Sequence, residues 1–328
     1  MKAGKISEAQ LKRSVFRQLH KDPAGQRKGP GVGLDASVIV PAENERVVLS
    51  LNPVTCAGAA ASEMAVYRAI NDVAAGGAKP VGILVSVLLP TSANEAELRE
   101  RMKEMDRTAE EEGLVILGGH TEVTRAVKEI VLTVTGVGLA REGAYVSAEG
   151  ARPGMDILVT NWIGLEGTYL LARNHEEELA KRYAAPFIDK AKALREYLPV
   201  RSEAAVAVTA GAAAIHNGSH GGIYGALWEL AEASGVGLEI DLKKIPVRQE
   251  TIEICEFFDL NPYKLAANGC LVMAAVDGNQ VVREIEKAGG RAAIIGKATD
   301  SNDRVLLYEE ERRFLETTQT DELMALDQ

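Results

Sequence analysis

The run PVGILVSVLLP, residues 80–90, most narrows what this chain can become. Eleven residues, almost all apolar and several β-branched, with no polar alternation, describe a buried strand. Such a strand needs neighbours, and many strands with a few helices laid over them point to an α/β or α+β layer domain. The surrounding sequence supplies them. ASVIVPA (36–42) and RVVLSLNPVT (46–55) read as strands, 62–75 as a helix, 94–112 as a charged helix with an apolar stripe, and EIVLTVTGVGLA (129–140) as a further strand. GLVILGGHTEV (113–123) reads as a strand ending in a glycine turn.

The pattern restarts after EGARPG near residue 150, a Gly/Pro-rich boundary. MDILVTNWIG then reads as a strand, 165–197 and 202–215 as helical stretches, and GIYGALWELAEASG as a helix. VGLEIDL is a strand, RQETIEICEFFDL a helix, and GCLVMAAV, RAAIIGKAT and RVLLYE are strands. The 328 residues therefore organise as two domains, 1–150 and 151–328.

A net charge of −10 argues against a protein whose main affinity is for a nucleic-acid backbone, because that affinity comes from lysine and arginine on phosphates. Cys56, Cys255 and Cys270 are the only cysteines and form no CxxC, so neither a disulfide framework nor a zinc cluster is expected. The first 22 residues have no signal-type apolar segment, and no window approaches the roughly 20 apolar residues that span a bilayer. The expectation is a cytoplasmic protein without a membrane partner.

Five glycine-punctuated stretches carry the candidate chemistry. In GPGVGLDASVIV, Gly31 and Gly33 precede Asp35 at a strand entrance. Backbone N–H groups freed by glycines form an anion nest, and an adjacent carboxylate suits a magnesium ion shared with phosphates; the alternative is a loop with a solvated aspartate. In RAINDVAAGGAKP, Asn71 and Asp72 sit near a helix C-terminus, where the dipole disfavours the carboxylate. Either a cation or one of Lys79 and Arg68 compensates it. VILGGHTEVT presents Gly118, Gly119, His120, Thr121 and Glu122; His120 is a metal ligand or base, or a hydrogen-bonded structural residue. NWIGLEG contributes Asn161 and Gly164, and HNGSHGG contributes Asn217, Gly221 and Gly222 at a helix start, a position that attracts phosphate. His216 and His220 are four apart, yet the Asn-Gly-Ser between them is a poor helix interior, so the zinc-like spacing is accidental.

Taken in order, GxGxDASV, NDVAAGGAKP, GGHTE, RPGMDILVTNWIG and HGGIYGALWELAEASGVGLEI resemble the aminoimidazole ribonucleotide (AIR) synthase superfamily from about Gly4 to Ala298. The resemblance is strongest to the branch of the hydrogenase maturation factor HypE; the superfamily also includes thiamine monophosphate kinase and selenophosphate synthetase. It implies a two-domain α/β (α+β) fold with a β-rich N-terminal domain that forms a barrel in a homodimer. It also implies ATP and Mg2+ as cofactors, phosphoryl transfer to a small-molecule acceptor or work with a maturation partner protein. By that resemblance Asp35 and Asp72 hold magnesium, and Gly118, Gly119, Thr121, Gly221 and Gly222 lie on phosphates. His120 and Glu122 serve the acceptor.

Three positions depart from the family pattern. Asn52, His120 and Asn217 stand where relatives carry acids, so each exchange removes a negative charge from a magnesium-holding site. The last cysteine is Cys270, so the modification HypE carries on its own C-terminal cysteine is not expected here. The resemblance thus leaves two expectations open: an ATP-dependent enzyme that activates an acceptor oxygen, or a catalytically impaired nucleotide-binding dimer.

Overall fold

The computed structural model describes residues 4–5, 8–20, 41–55, 58, 60–318 and 320–326. The chain forms two compact units, Met1–Val73 with Ala78–Gly143, and Ala74–Gly77 with Ala144–Gln328.

The first unit contains β1 (Gly4–Lys5), α1 (Glu8–Ser14), β2 (Glu45–Val54), α2 (Ala61–Ala75), β3 (Lys79–Pro90), α3 (Glu95–Glu111), β4 (Ile116–Thr124) and β5 (Val131–Arg141). Helix α3 starts at an Asn94 capping box: the Asn94 side chain accepts from Ala96 and Glu97 N–H while Glu97 accepts from Asn94 N–H. Leu98, Met102, Met105 and Ala109 recur at helical spacing and are buried, which leaves the many charges on the other faces. The described residues 13–20 are fastened to α3 through charge. Arg13 and Ser14 both bond Glu95, whose carboxyl the Arg13 guanidinium holds down at about 2. Asp106 takes the backbone N–H of His20 at 3.0 Å and faces its ring at 3.1 Å.

The strands form a five-stranded sheet, β1-β4-β3-β5-β2, with β3 and β4 parallel and the other pairs antiparallel. Residues paired across strands share a sheet face, and successive residues alternate. Asn52, Val134, Val85 and Gly119 form one row; Pro53, Thr133, Ser86 and His120 form the next, on the other face. The first face is buried, with Val54, Val85, Val87, Leu132 and Val134 all closed to solvent. The second exposes Val47, Leu49, Leu51 and Leu84, of which Leu49 and Leu51 are 64% and 65% exposed. The sheet is open, edged by β1 and β2, and closes no barrel within the described residues.

The second unit contains β6 (Asp156–Thr160), α4 (Leu165–Asn174), α5 (Glu176–Leu179), α6 (Ala185–Ala193), α7 (Arg201–Thr209), β7 (Ala212–Asn217), α8 (Gly222–Ser234), β8 (Gly237–Asp241), α9 (Gln249–Phe258), β9 (Leu271–Ala275), α10 (Gly278–Lys287), β10 (Ala292–Thr299), β11 (Arg304–Tyr308), β12 (Glu311–Phe314) and α11 (Glu322–Leu326). Its sheet order is β12-β11-β8-β10-β6-β9-β7, antiparallel except for β11 with β8. Successive residues of β6 enter different cores. Ile157 and Val159 pack with Ile223, Leu227 and Leu230 of α8, and Leu158 packs with Ala204 and Ala207 of α7 and Val281 and Ile285 of α10. Helices thus cover both faces, which is why the central strands read as unbroken apolar runs. No helix among the described residues is long and apolar enough to cross a membrane.

Two sequence expectations fail here. Gly118 and Gly119 do not end a strand: β4 runs through them to Thr124, paired to β3. A Cβ on Gly119 would stand 1.9 Å from the carbonyl oxygen of Val85, so close strand approach demands the glycine. Residues 212–215 are strand, not helix, because Gly211, at φ +95°, turns the chain out of α7. Helices α10 and α11 and strand β12 had no counterpart in the sequence reading. Of the strand expected at 36–42, residues 36–40 lie outside the described residues, and 41–42 precede a turn.

Gly119→Ala is expected to destabilise the protein by about 3 kcal/mol, the upper end of overpacking costs, measured as a shift in the urea unfolding midpoint. An unchanged midpoint would contradict the packing role assigned to this glycine.

Candidate functional site

Strand β2 places Ser50 and Asn52 on its buried side, two residues apart, beneath the last turn of α2, which carries Asp72. The Asn52 amide donates to Asp72 Oδ2 at 2.8 Å and to Ser50 Oγ at 3.1 Å. Ser50 Oγ lies 3.3 Å from Asp72 Oδ2 and 3.2 Å from the carbonyl oxygen of Ala69. Two neutral donors therefore face a carboxylate placed where the helix dipole opposes it. Asn71, the preceding residue, is fully buried.

An acid at position 52 would set two carboxylates at hydrogen-bond distance, an arrangement that only a proton or a bridging cation stabilises. The amide replaces that requirement with a hydrogen bond. It leaves a set of hard oxygen donors: the Asp72 carboxylate, the Asn52 carbonyl and the Ser50 hydroxyl. Such a set, with one carboxylate, fits a magnesium ion that takes its remaining ligands from phosphate and water, and does not fit a soft metal. Among the described residues no group of three His, Cys, Asp or Glu side chains is arranged to hold a metal by itself. Gly31, Gly33 and Asp35 lie outside the described residues.

Thr121, by its pairing with Val87, shares the buried face with Asn52. His120 and Glu122 do not. They bond to each other, Nε2 to Oε2 at 2.9 Å, on the opposite, exposed face. The structure thus separates the two residues expected to serve an acceptor from the carboxylate expected to hold magnesium.

In the second unit the predicted residues meet around one loop, 261–270. Asn161 follows β6 in the left-handed region, at φ +51°, and donates from Nδ2 to the Gly269 carbonyl at 3.0 Å. Asparagine tolerates that conformation better than other non-glycine residues. Asn217 ends β7 and donates to Asn268 Oδ1 at 3.3 Å, with both side chains buried. Gly164 opens α4 at φ +66°, against Thr251 and Leu265. Gly221 and Gly222 open α8 at φ +77° and +65°; a Cβ on Gly222 would stand 2.5 Å from the carbonyl oxygen of Tyr263. His216 is on β7 with Glu229 2.8 Å away, and His220 is in the turn before α8, so the pair is not a helical metal site.

Sequence reasoning missed four residues of this loop and its surroundings. Asn268 sits between apolar runs and gives no periodic signal. Glu166 is fully buried in the first turn of α4. Asp321, before α11, accepts Gly221 N–H at 2.8 Å, Leu323 N–H at 3.0 Å and Ala266 N–H at 3.3 Å. Burial raises its carboxyl above the usual range; the Leu323 and Gly221 N–H groups oppose that, Glu166 adds to it and His220 opposes it. Glu203 is likewise raised by burial, with a hydrogen bond from Asn161 working against it. Cys255 and Cys270, both buried, have thiols that burial pushes up to about 12, so neither is a ready nucleophile.

Comparison with known proteins agrees with these units. The model for AIR synthase related protein, N-terminal domain, matches residues 33–140, and that for AIR synthase related protein, C-terminal domain, matches residues 152–309. The hydrogenase expression/formation protein HupE of Azotobacter chroococcum mcd 1 is 31% identical over 253 residues, 75% of this chain and 72% of that one. The carbamoyl dehydratase HypE of Azotobacter vinelandii is 30% identical over 266 residues, 79% of this chain and 75% of that one. The crystal structure of hydrogenase maturation protein HypE in complex with ATP superposes with a TM-score of 0.80 at 20% identity, over 97% of this chain and 96% of that one.

Asn52→Asp is expected to lower the melting temperature by about 3 °C or more in EDTA at neutral pH, and millimolar magnesium chloride is expected to restore it. A melting temperature indifferent to both the substitution and the ion would contradict this geometry.

Proposed function

Because the chain belongs to the AIR synthase related family, we propose that it is an ATP-binding, magnesium-dependent enzyme that activates an oxygen of an acceptor, with its place in hydrogenase maturation. The observation that carries this reading is the Asp72 carboxylate held toward β2 by Asn52 and Ser50, a preformed oxygen site on rigid elements. Asp72, Asn52 and, from the sequence motif, Asp35 would hold the magnesium. When bound, the ion would neutralise charge on transferring phosphate.

The chemistry fits the relatives' names. A carbamoyl dehydratase must expel an oxygen, and phosphorylation by ATP turns a poor leaving group into a good one. The thiols of Cys255 and Cys270 are too buried and too weakly acidic to carry a substrate group, and Cys56 lies outside the described residues; in this reading the acceptor is another molecule. A partner protein of the maturation pathway or a small metabolite supplies it. Thr121 is on the Asp72 side of the sheet, where an acceptor or phosphate oxygen can be hydrogen-bonded.

His120 and Glu122 belong to a different surface in this reading. The face they share with Val47, Leu49, Leu51 and Leu84 is too apolar to be left in water, and a second copy of the chain would cover it. Leu51→Glu is then expected to convert a dimer to a monomer in light scattering. A monomeric unmodified protein would contradict the pairing.

The impaired-dimer reading is favoured by one observation, the Asp321 carboxylate seated on Gly221, where a phosphate is expected. Thermal stabilisation by ATP that requires magnesium and disappears in Asp72→Ala supports the enzyme reading. Stabilisation by ATP that is indifferent to both magnesium and Asp72 contradicts it.

A further inference from the structure

Three segments of the second unit bring side chains to one indole ring. Trp162 follows β6, Arg248 precedes α9 and Arg291 precedes β10. The Cζ atoms of Arg248 and Arg291 lie 4.9 Å and 5.2 Å from the Trp162 ring centroid, and the Tyr197 ring meets the indole edge-on at 5.0 Å. The main chain locks these segments together on either side of Trp162. Asn161 N–H donates to the Arg291 carbonyl at 3.0 Å, and Ile163 N–H to the Pro246 carbonyl at 3.1 Å, with Ile163 bridged to Val247. The cluster is therefore set by the backbone and does not depend on the attraction between its own side chains.

The charges around the ring are unevenly matched. Arg248 already takes a carboxylate, with Nε 3.1 Å from Glu250 Oε2. The other nearby acids are also engaged: Glu196 is hydrogen-bonded to Tyr197, and Glu203 to Asn161. Arg291 is exposed and forms no ion pair among the described residues. Acidic side chains outnumber basic ones in this chain, 47 to 37, yet none of those described is set on this guanidinium. One cation on an indole face is attracted by the ring, but a second brings like charge beside the first and gains from an anion of its own. Trp162 and Tyr197 are only half-buried, so apolar ring surface stays in water next to that unmatched charge.

We propose that Trp162, Tyr197 and Arg291 form a docking point for an acidic segment of another protein, which sets a carboxylate on the Arg291 guanidinium and its chain against the indole. The planar fork of arginine matches a carboxylate through two parallel hydrogen bonds, and tryptophan and arginine are the residues that most often dominate protein interfaces. The Arg248–Glu250 pair shows within the chain the contact that Arg291 lacks. A free phosphate would engage the guanidinium alone. The rings beside it add affinity only for a ligand that also brings apolar atoms, which a polypeptide does. The inference rests on the second unit alone and is independent of the ATP reading.

The test titrates the whole chain by calorimetry with capped hexaglutamate and, separately, with inorganic pyrophosphate. Saturable hexaglutamate binding that weakens as sodium chloride rises is expected, and at least about tenfold weaker binding in Arg291→Gln, which loses a charge-assisted pair. Arg291→Lys, which keeps the charge and loses the fork, should fall between. Because Arg291 is exposed, both variants are expected to melt where the unmodified protein does. Trp162 and Trp228 are the only tryptophans, so the emission of a Trp228→Phe variant reports on Trp162 and is expected to shift along the same binding curve. Absence of hexaglutamate binding, or binding indifferent to both Arg291 variants, overturns the proposal. Pyrophosphate bound as tightly as hexaglutamate, with Trp162 emission unmoved, identifies a simple anion site and overturns it as well.

Discussion

A carboxylate drawn into a fold must be met by donors, and two carboxylates here, Asp72 partly buried and Asp321 buried, are met by amide, hydroxyl and backbone N–H groups. Asp72 is held by an amide and a hydroxyl, and Asp321 by three backbone N–H groups. Both arrangements set the geometry around them. The first joins the last turn of α2 to β2; the second joins the loop 261–270, the start of α8 and the segment ending in α11. In each case hydrogen-bond donors hold the carboxylate in a fixed position.

The three positions where relatives carry acids have three different surroundings here. Asn52 bonds Asp72 directly, so the exchange weakens the demand for a cation without dismantling the site. Asn217 faces Asn268 and belongs to a buried amide pair, a structural role in which an ionised acid would need a counter-ion. His120 is paired with Glu122 on the far face of the sheet and therefore says nothing about charge near Asp72. One exchange is at the proposed metal site, one stabilises a loop, and one marks a different surface. Of the three, only Asn52 is hydrogen-bonded to Asp72.

Much of the fold was legible because periodicity reports burial. α2, β3, α3, β5, α8 and α9 follow from apolar spacing alone, and β6 and β9 from unbroken apolar runs covered on both faces. The failures have local causes. Gly118 and Gly119 suggested a turn, whereas close approach to Val85 requires a glycine inside a strand. AAAIHN reads as helix from its alanines, and only pairing with β9 makes it a strand. The family motifs named Asp72, Asn161, Asn217 and the Gly221–Gly222 pair as candidates, and the structure places Asp72 beside Asn52 and the others around the loop 261–270. Asn268 and Asp321 were not legible, because a side chain that reaches a loop 50 to 100 residues away leaves no pattern in its own neighbourhood.

Isothermal titration of the unmodified protein with ATP, in magnesium and again in EDTA, tests the central claim most directly. The account predicts saturable binding in magnesium that is lost, or weakened at least about tenfold, in EDTA, because the phosphates reach Asp72 through the ion. Binding of equal strength in both buffers, or none in either, would contradict it.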